Sequence, residues 1–249
     1  MMKRQHKFRS LEPLSLYVHI PFCETKCTYC DFNTYSGLEI LIPSYLESVC
    51  KEIHLWGKLL CKPKIKTVFF GGGTPSYVSY QFIEKVMDSV RGSLDLDTVA
   101  EVTLEANPDD CKRHKIEAFK RSGITRISLG VQSLNDQLLK LLDRRHTADQ
   151  AVTAYKTITD VGFDNVSIDL MYGLPDQSLD DWVKTLNTIV GLSPRHLSLY
   201  CLTLEEGTPM ERKVKAGNIS NPDPDLAADM YSFAEEMLAK RNYCHYEIS

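Results

Sequence analysis

Short apolar runs alternate with longer amphipathic stretches along most of this 249-residue chain. The short runs predict β-strands, and the stretches with apolar residues every three or four positions predict helices with polar caps and terminal glycines. The predicted strands are 15–20, 66–70, 99–106, 126–132, 165–173, 195–204 and the start of a seventh at 243–249. The predicted helices are 43–60, 80–92, 112–123, 135–145, 147–162, 178–192 and 224–242.

The repeated order of strand and then helix implies parallel strands joined by right-handed crossovers. About six such units predict an α/β fold with a partial (β/α)6 barrel, and an open doubly wound sheet is the alternative. No linker or low-complexity tract interrupts the pattern, so we expect a tail over residues 1–14 and one barrel domain over residues 15–249. In either architecture, functional residues are expected at the carboxyl ends of the strands.

Composition narrows the class of partner. Apolar residues make up 43% and charged residues 25%, as in ordinary globular proteins, and the net charge of −4 favours neither nucleic acid nor an anionic membrane. No apolar run reaches the roughly 18 residues that a membrane helix needs. We therefore expect small-molecule or protein partners and a cytoplasmic location. The basic N-terminus, MMKRQHKFRS, leaves a remnant of an organelle-targeting segment as the alternative.

Three of the eight cysteines, Cys23, Cys27 and Cys30, form a C-x3-C-x2-C motif in the loop after the first predicted strand. Three thiolates on one short loop can bind three irons of a [4Fe-4S] cubane and leave the fourth iron open to a substrate, unlike the four-cysteine sites of ferredoxins. Structural zinc normally takes four ligands, and no second C-x2-C pair is present. The motif therefore favours an iron–sulfur cluster over zinc or free thiols.

The motif, with Tyr29 beside its last cysteine, resembles that of the radical S-adenosylmethionine superfamily. The segments LYVHIPFC, FFGGGTPS, LEANPD, ISLGVQS, DLMYGLP and HYEIS are similar to the branch that contains oxygen-independent coproporphyrinogen III dehydrogenase (HemN) and the heme chaperone HemW. The resemblance covers the chain from about residue 15 to its end. It implies that the open iron binds S-adenosylmethionine, and that one electron from the reduced cluster cleaves the cofactor to a hydrogen-abstracting radical.

Several residues at predicted strand ends are candidates for binding that cofactor. From the residues alone, the loop 71–74 could approach a ligand or be a tight turn, and Glu105 could accept hydrogen bonds or be solvated. Asp169 lies in an apolar strand and needs a partner, whereas Arg144 and Arg145 offer equivalent carboxylate-binding chemistry. The resemblance implies that the cofactor-binding positions are Tyr17, Tyr29, Gly72, Gly73, Thr74, Glu105, Gln132, Arg144 and Asp169.

Two features in which this sequence differs from the dehydrogenase distinguish between the members of this branch. Phe32 stands where the dehydrogenase usually has a further cysteine, and only about 14 residues precede the first predicted strand, where the dehydrogenase carries a long extension. Both favour a heme chaperone that receives heme, passes it to an acceptor protein and depends on a reductant protein. The dehydrogenase is the enzymatic alternative, and a structural zinc protein is the third. No residue is assigned a catalytic role. The chain ends at Ser249, so it is expected to lack the C-terminal domain of the family.

Overall fold

The computed structural model describes residues 12–248, within which the strands form one six-stranded parallel sheet. The strand order is sequential, and every neighbouring pair is parallel. A doubly wound sheet would reverse its order at a switch point, so the sequential order confirms the unclosed partial barrel. The strands are β1 (Leu14–Ile20), β2 (Lys64–Gly72), β3 (Asp95–Ala106), β4 (Arg126–Gln132), β5 (Val166–Tyr172) and β6 (His196–Cys201).

The helices follow the strands nearly as the periodicity predicts. They are α1 (Ile42–Leu59), α2 (Tyr80–Ser93), α3 (Arg113–Arg121), α4 (Asp136–Leu141), α5 (Ala148–Asp160), α6 (Leu179–Gly191), α7 (Pro209–Lys215) and α8 (Pro224–Lys240). Helix α4 is shorter than predicted because the chain takes a left-handed φ of 59° at Asp143 soon after it. Helix α7 was not predicted, since seven residues are too few for a clear apolar period. No helix within residues 12–248 is long and apolar enough to cross a membrane.

Period-two alternation gives the sheet one apolar face and one polar face. A row of aligned residues on the helix-covered face is almost completely buried and forms the centre of the core. This row is Val18, Phe70, Leu104, Ile127 and Val166. The next row along the strands faces the concave side and is mostly polar, and it consists of His19, Gly71, Glu105, Ser128, Ser167 and His196. The concave face is therefore suited to a polar ligand rather than to packing.

The predicted seventh strand is wrong for residues 243–248, which adopt no strand in the structure. The chain turns at Asn242, whose φ is 64°. Side chains then hold the segment beside β6, since the hydroxyl of Tyr243 donates to the carbonyl of Pro194 at 2.6 Å and the hydroxyl of Tyr246 lies 2.7 Å from Nε2 of His196. The predicted N-terminal tail falls largely in residues 1–11, which lie outside the described residues.

Helix α5 begins with a reciprocal capping box, and this predicts a measurable contribution to stability. The Thr147 hydroxyl accepts from Gln150 N–H at 3.3 Å, and Thr147 N–H donates to Gln150 Oε1 at 2.8 Å. Thr147→Ala should lower the free energy of unfolding by about 1 kcal/mol because one N-terminal amide loses its acceptor. Urea unfolding followed by circular dichroism measures this change. Thr153→Ala, at an exposed position of the same helix, should be neutral or slightly stabilising, and equal losses in both variants would contradict the assignment.

Candidate functional site

The cysteine motif lies in the loop between β1 and the first helix. The loop is fixed at both ends, because Cys23 N–H donates to the carbonyl of Tyr35 at 2.9 Å and Thr28 N–H donates to the carbonyl of Leu142 at 3.3 Å. All three thiols are partly exposed. Burial raises the pKa of the Cys23 thiol, and the nearby Cys27 and Cys30 raise it further. The thiols are therefore near neighbours on one loop.

Each thiol has a polar neighbour. The Thr74 hydroxyl donates to Cys23 Sγ at 3.4 Å, Arg144 Nη1 donates to Cys27 Sγ at 3.6 Å, and the Thr34 hydroxyl lies 3.9 Å from Cys30 Sγ. Hydrogen-bond donors and a guanidinium stabilise thiolates, so this environment fits an anionic thiolate-bound cluster. Within residues 12–248, no three His, Cys, Asp or Glu side chains converge on one point as they would around a single metal ion. A cubane with one cysteine per iron does not need such convergence.

The glycine loop at the end of β2 is pressed against the cysteine loop. Gly73 N–H donates to the carbonyl of Ile20 and Thr74 N–H donates to the carbonyl of Phe22, both at 2.8 Å. A Cβ on Gly73 would lie 2.7 Å from the carbonyl oxygen of Phe22, and a Cβ on Gly72 would lie 2.6 Å from the ring of His19. Only glycine allows this approach. These N–H groups donate within the protein. The backbone groups of this loop that can contact a ligand are therefore its carbonyls.

Arg144 and Asn107 connect the glycine loop to the cysteines. Arg144 Nη2 donates to Asn107 Oδ1 and to the carbonyl of Gly130, both at 2.7 Å. Asn107 Nδ2 in turn donates to the Thr74 hydroxyl at 3.4 Å. We call the resulting chain of contacts, Cys23–Thr74–Asn107–Arg144–Cys27, the polar ring. The sequence did not single out Asn107, although its place directly after a strand was a usable signal.

The choice between Arg144 and Arg145 is resolved by their contacts. Within residues 12–248, Arg145 pairs with Glu24 and Asp109 and donates to no cysteine Sγ, while Asp110 lies 3.7 Å from it. The two aspartates belong to a short 3-10 turn, Pro108–Asp110. Arg144 is therefore the arginine that donates to a cysteine thiol.

The acids Glu105 and Asp169 lie on the concave face. Glu105 Oε2 accepts from Gly72 N–H at 3.2 Å, and burial together with the nearby Asp169 raises the pKa of Glu105 to about 7. Burial also raises the pKa of Asp169, against the opposing effect of hydrogen bonds from serines. The Ser128 hydroxyl lies 3.1 and 3.0 Å from the two oxygens of Asp169. Two partly buried carboxyls that repel each other favour a cationic ligand or a retained proton.

The remaining three predicted residues surround the same region. Tyr17 is 55% exposed on the concave face, stacks on Phe69 with ring centroids 6.0 Å apart, and places its hydroxyl 3.1 Å from His19 Nδ1. Tyr29 belongs to the cysteine loop and packs against an apolar cluster that includes Leu138 and Leu142, and burial raises its pKa. Gln132 ends β4 with a left-handed φ of 65°, at the point where the register to β5 shifts.

The structure of the glycine loop predicts that alanine substitutions at two glycines have very different effects on stability. Gly72 has a φ of +115° and no room for a Cβ, whereas a Cβ on Gly92 in α2 would meet no heavy atom within 4 Å. Gly72→Ala should lower the free energy of unfolding by about 1–3 kcal/mol through backbone strain and overlap with His19. Gly92→Ala should leave it unchanged or raise it by up to about 1 kcal/mol. Equal effects in chemical unfolding would show that the loop relaxes easily.

The raised pKa of Glu105 predicts a pH dependence of stability in the metal-free chain. The pKa is about 7 in the folded state and 4.5 for an unperturbed glutamate, so the folded state retains the proton between these values. The contribution of Glu105 to the free energy of unfolding should therefore fall as the pH rises from about 4.5 to about 7. Glu105→Gln should remove this part of the dependence and be more stable than the wild type at pH 8.

The exposed Glu84 in α2 offers a matched control for that measurement. Glu84→Gln should leave the pH profile of urea unfolding unchanged. If Glu105→Gln and the wild type showed the same slope between pH 5 and pH 7, the buried position of the Glu105 carboxyl would be contradicted.

Comparisons with known proteins agree with this geometry. The heme chaperone HemW of Lactococcus lactis is 37% identical over 238 residues, covering 96% of this chain and 62% of the relative. The mitochondrial radical S-adenosyl methionine domain-containing protein 1 of Mus musculus is 38% identical over 235 residues, covering 94% of this chain and 53% of the relative. The chain thus spans less than two thirds of the length of either relative.

The fold and the family model give the same assignment. The structure of coproporphyrinogen III oxidase (HemN) from Escherichia coli superposes with a TM-score of 0.88 at 27% identity, covering 99% of this chain and 56% of that one. The model of the Radical SAM superfamily matches residues 17–189, which include the cysteine loop, the glycine loop and the concave acids. This chain belongs to the radical S-adenosylmethionine superfamily.

Proposed function

We propose that this chain binds a [4Fe-4S] cluster through Cys23, Cys27 and Cys30, binds S-adenosylmethionine beside it, and contributes to a heme chaperone of the HemW type. The observation that carries the proposal is the polar ring. It joins two of the three cysteines to the end of the glycine loop through Asn107 and Arg144. Groups that would hold a cluster and groups that would hold its ligand are thereby fixed to one another.

The three thiols would hold three irons, and the cluster would supply an open iron site and one electron. Arg144 would offset the negative charge of the bound thiolates, since its guanidinium already donates to Cys27 Sγ. The Thr74 hydroxyl would do the same for Cys23. The partly exposed position of the loop leaves access for the reductant protein that the reaction requires.

S-adenosylmethionine would lie on the concave face next to the cysteine loop. Glu105 and Asp169 present carboxylate oxygens to hydroxyl and amino groups and would attract the positive sulfonium. The carbonyls of Gly72 and Gly73 suit an amino group, while the Arg144 guanidinium suits a carboxylate. Tyr17 offers an exposed ring for stacking on a purine. The full set proposed for the cofactor is Tyr17, Tyr29, Gly72, Gly73, Thr74, Glu105, Gln132, Arg144 and Asp169.

Phe32 favours the chaperone over the enzyme. It follows the last cluster cysteine by two residues, is 68% exposed, and provides an apolar ring where a thiol would mark the dehydrogenase. The relatives named heme chaperone HemW are more similar in sequence than the HemN structure, at 37% against 27% identity. Heme and a heme-acceptor protein are therefore the proposed partners. The high structural similarity to HemN keeps coproporphyrinogen oxidation as the second candidate.

We propose a cytoplasmic location, with a mitochondrial one as the alternative. Bacterial relatives such as that of Lactococcus lactis suit the cytoplasmic expectation. The mouse relative is named as mitochondrial. The cytoplasm keeps exposed thiols reduced, which suits the free cysteines outside the loop.

Anaerobic reconstitution with iron and sulfide tests the cluster. The wild type should take up about four irons per chain and acquire the broad visible absorbance of a [4Fe-4S] cluster. Cys27→Ala should lose most of both because one iron loses its thiolate. Cys61→Ala removes an exposed cysteine outside the motif and should bind iron as the wild type does. Tight zinc uptake without iron or sulfide would overturn the cluster and support the zinc alternative.

Two assays of the reconstituted protein distinguish the heme chaperone from the enzyme. Titration with heme should shift the Soret band to a stable new position, and incubation with reductant, S-adenosylmethionine and coproporphyrinogen III should yield no protoporphyrinogen. Formation of protoporphyrinogen would show that the chain acts as the enzyme and would contradict the chaperone. An unchanged Soret band would contradict heme binding by this chain while leaving the cluster result intact.

A further inference from the structure

A line of hydrogen bonds runs from Asp169 across the concave face to the C-terminal segment, residues 243–248. The Ser167 hydroxyl lies 3.4 Å from Asp169 Oδ1 and 2.7 Å from Nδ1 of His196. His196 Nε2 lies 2.7 Å from the hydroxyl of Tyr246. We call this line the relay. It crosses from β5 to β6 because Ser167 and His196 are register partners.

The relay has a defined direction of donation when Asp169 is ionised. Ser167 has one hydroxyl proton, and an ionised carboxylate can only accept it. When Ser167 gives this proton to Asp169 Oδ1, its oxygen accepts from His196, and the ring proton then lies on Nδ1. Burial and Arg126 lower the pKa of His196, against Glu101 and Glu247, so the ring is neutral and carries a single proton near neutral pH. Its Nε2 therefore accepts from Tyr246.

The carboxylate of Asp169 thus has hydroxyl partners on three strands. Ser128 donates from β4 and Ser167 from β5, and Ser198 of β6 is a third hydrogen-bond partner. A carboxylate held by several hydroxyl donors is restricted in its orientation. The orientation of Ser167 depends in turn on the proton of His196 Nδ1.

We propose that His196 is a positioning residue for Asp169, acting through Ser167, and that Tyr246 couples the segment 243–248 to the S-adenosylmethionine site. This inference rests on the proposed function, in which Asp169 contacts the cofactor. Any ligand that tightens the contacts of Asp169 also favours the relay that binds Tyr246. Cofactor binding and docking of residues 243–248 beside β6 are then thermodynamically linked, so that each strengthens the other.

Anaerobic equilibrium dialysis of S-adenosylmethionine against the reconstituted protein tests the positioning role. His196→Ala should weaken binding about tenfold, because Ser167 loses the donor that orients it. His196→Asn places an amide N–H near the position of Nδ1 and should recover most of that loss. His54→Ala changes an exposed histidine of α1 that contacts Ser93 and lies outside both the relay and the segment 243–248, and should bind as the wild type.

A second measurement needs neither cluster nor cofactor. Nitrogen-15 NMR of the metal-free protein should find His196 neutral with its proton on Nδ1, the minor tautomer of free histidine. Tyr246→Phe removes the donor to Nε2 and should shift the His196 resonances while leaving those of His54 in α1 in place. A proton on Nε2 would overturn the relay.

Failure of the proposed function and failure of the positioning role give different results. If the wild-type protein holds a cluster but does not bind S-adenosylmethionine, the proposed function fails and the positioning role fails with it. If the wild type binds the cofactor and His196→Ala binds it equally well, the positioning role alone is overturned.

Discussion

The contact between Arg144 and Asn107 is the interaction on which the rest of the site depends. Asn107 directly follows β3, and Arg144, which comes after α4, donates to it and to the carbonyl of Gly130 in β4, both at 2.7 Å, so that the ends of β3 and β4 are joined. Arg144 also binds Cys27, and Asn107 also binds Thr74, so the cysteine loop and the glycine loop are held through the same pair. A buried guanidinium must have its donors satisfied, and here the satisfied donors are those that organise the loops.

The second constraint is the strand register. Because each neighbouring pair is in fixed parallel register, the polar row of the concave face stands beside the buried row on the other side of the sheet. Moving one strand by one residue would exchange these faces and bury the acids among the helices. The energy of the apolar core thus holds Glu105 and Asp169 together, although their charges repel.

The sequence predicted the sheet well because buried parallel strands are compact apolar runs. Even so, it overextended the pattern to a seventh strand at HYEIS, where alternation reflects side chains that contact β6 without backbone pairing. The expectation that functional residues lie at the carboxyl ends of strands identified the acids, the glycine loop and Arg144. It did not find Asn107, Ser167 or His196, because their importance arises from partners far away in the chain, and a single sequence does not reveal register. Nor did it predict that the amides of the glycine loop donate within the protein.

The sequential strand order also has a consequence for assembly. Each strand pairs with the one made just before it, so the sheet can grow in the order of synthesis without waiting for distant segments. The cysteines, the glycine loop and Asn107 emerge first, and Arg144 emerges only after β4. A nascent chain therefore carries its three thiols before the arginine that contacts Cys27. Until Arg144 is in place, the Cys27 thiol lacks the guanidinium that stabilises its thiolate, and a thiol without such a neighbour stays in its less reactive, protonated form.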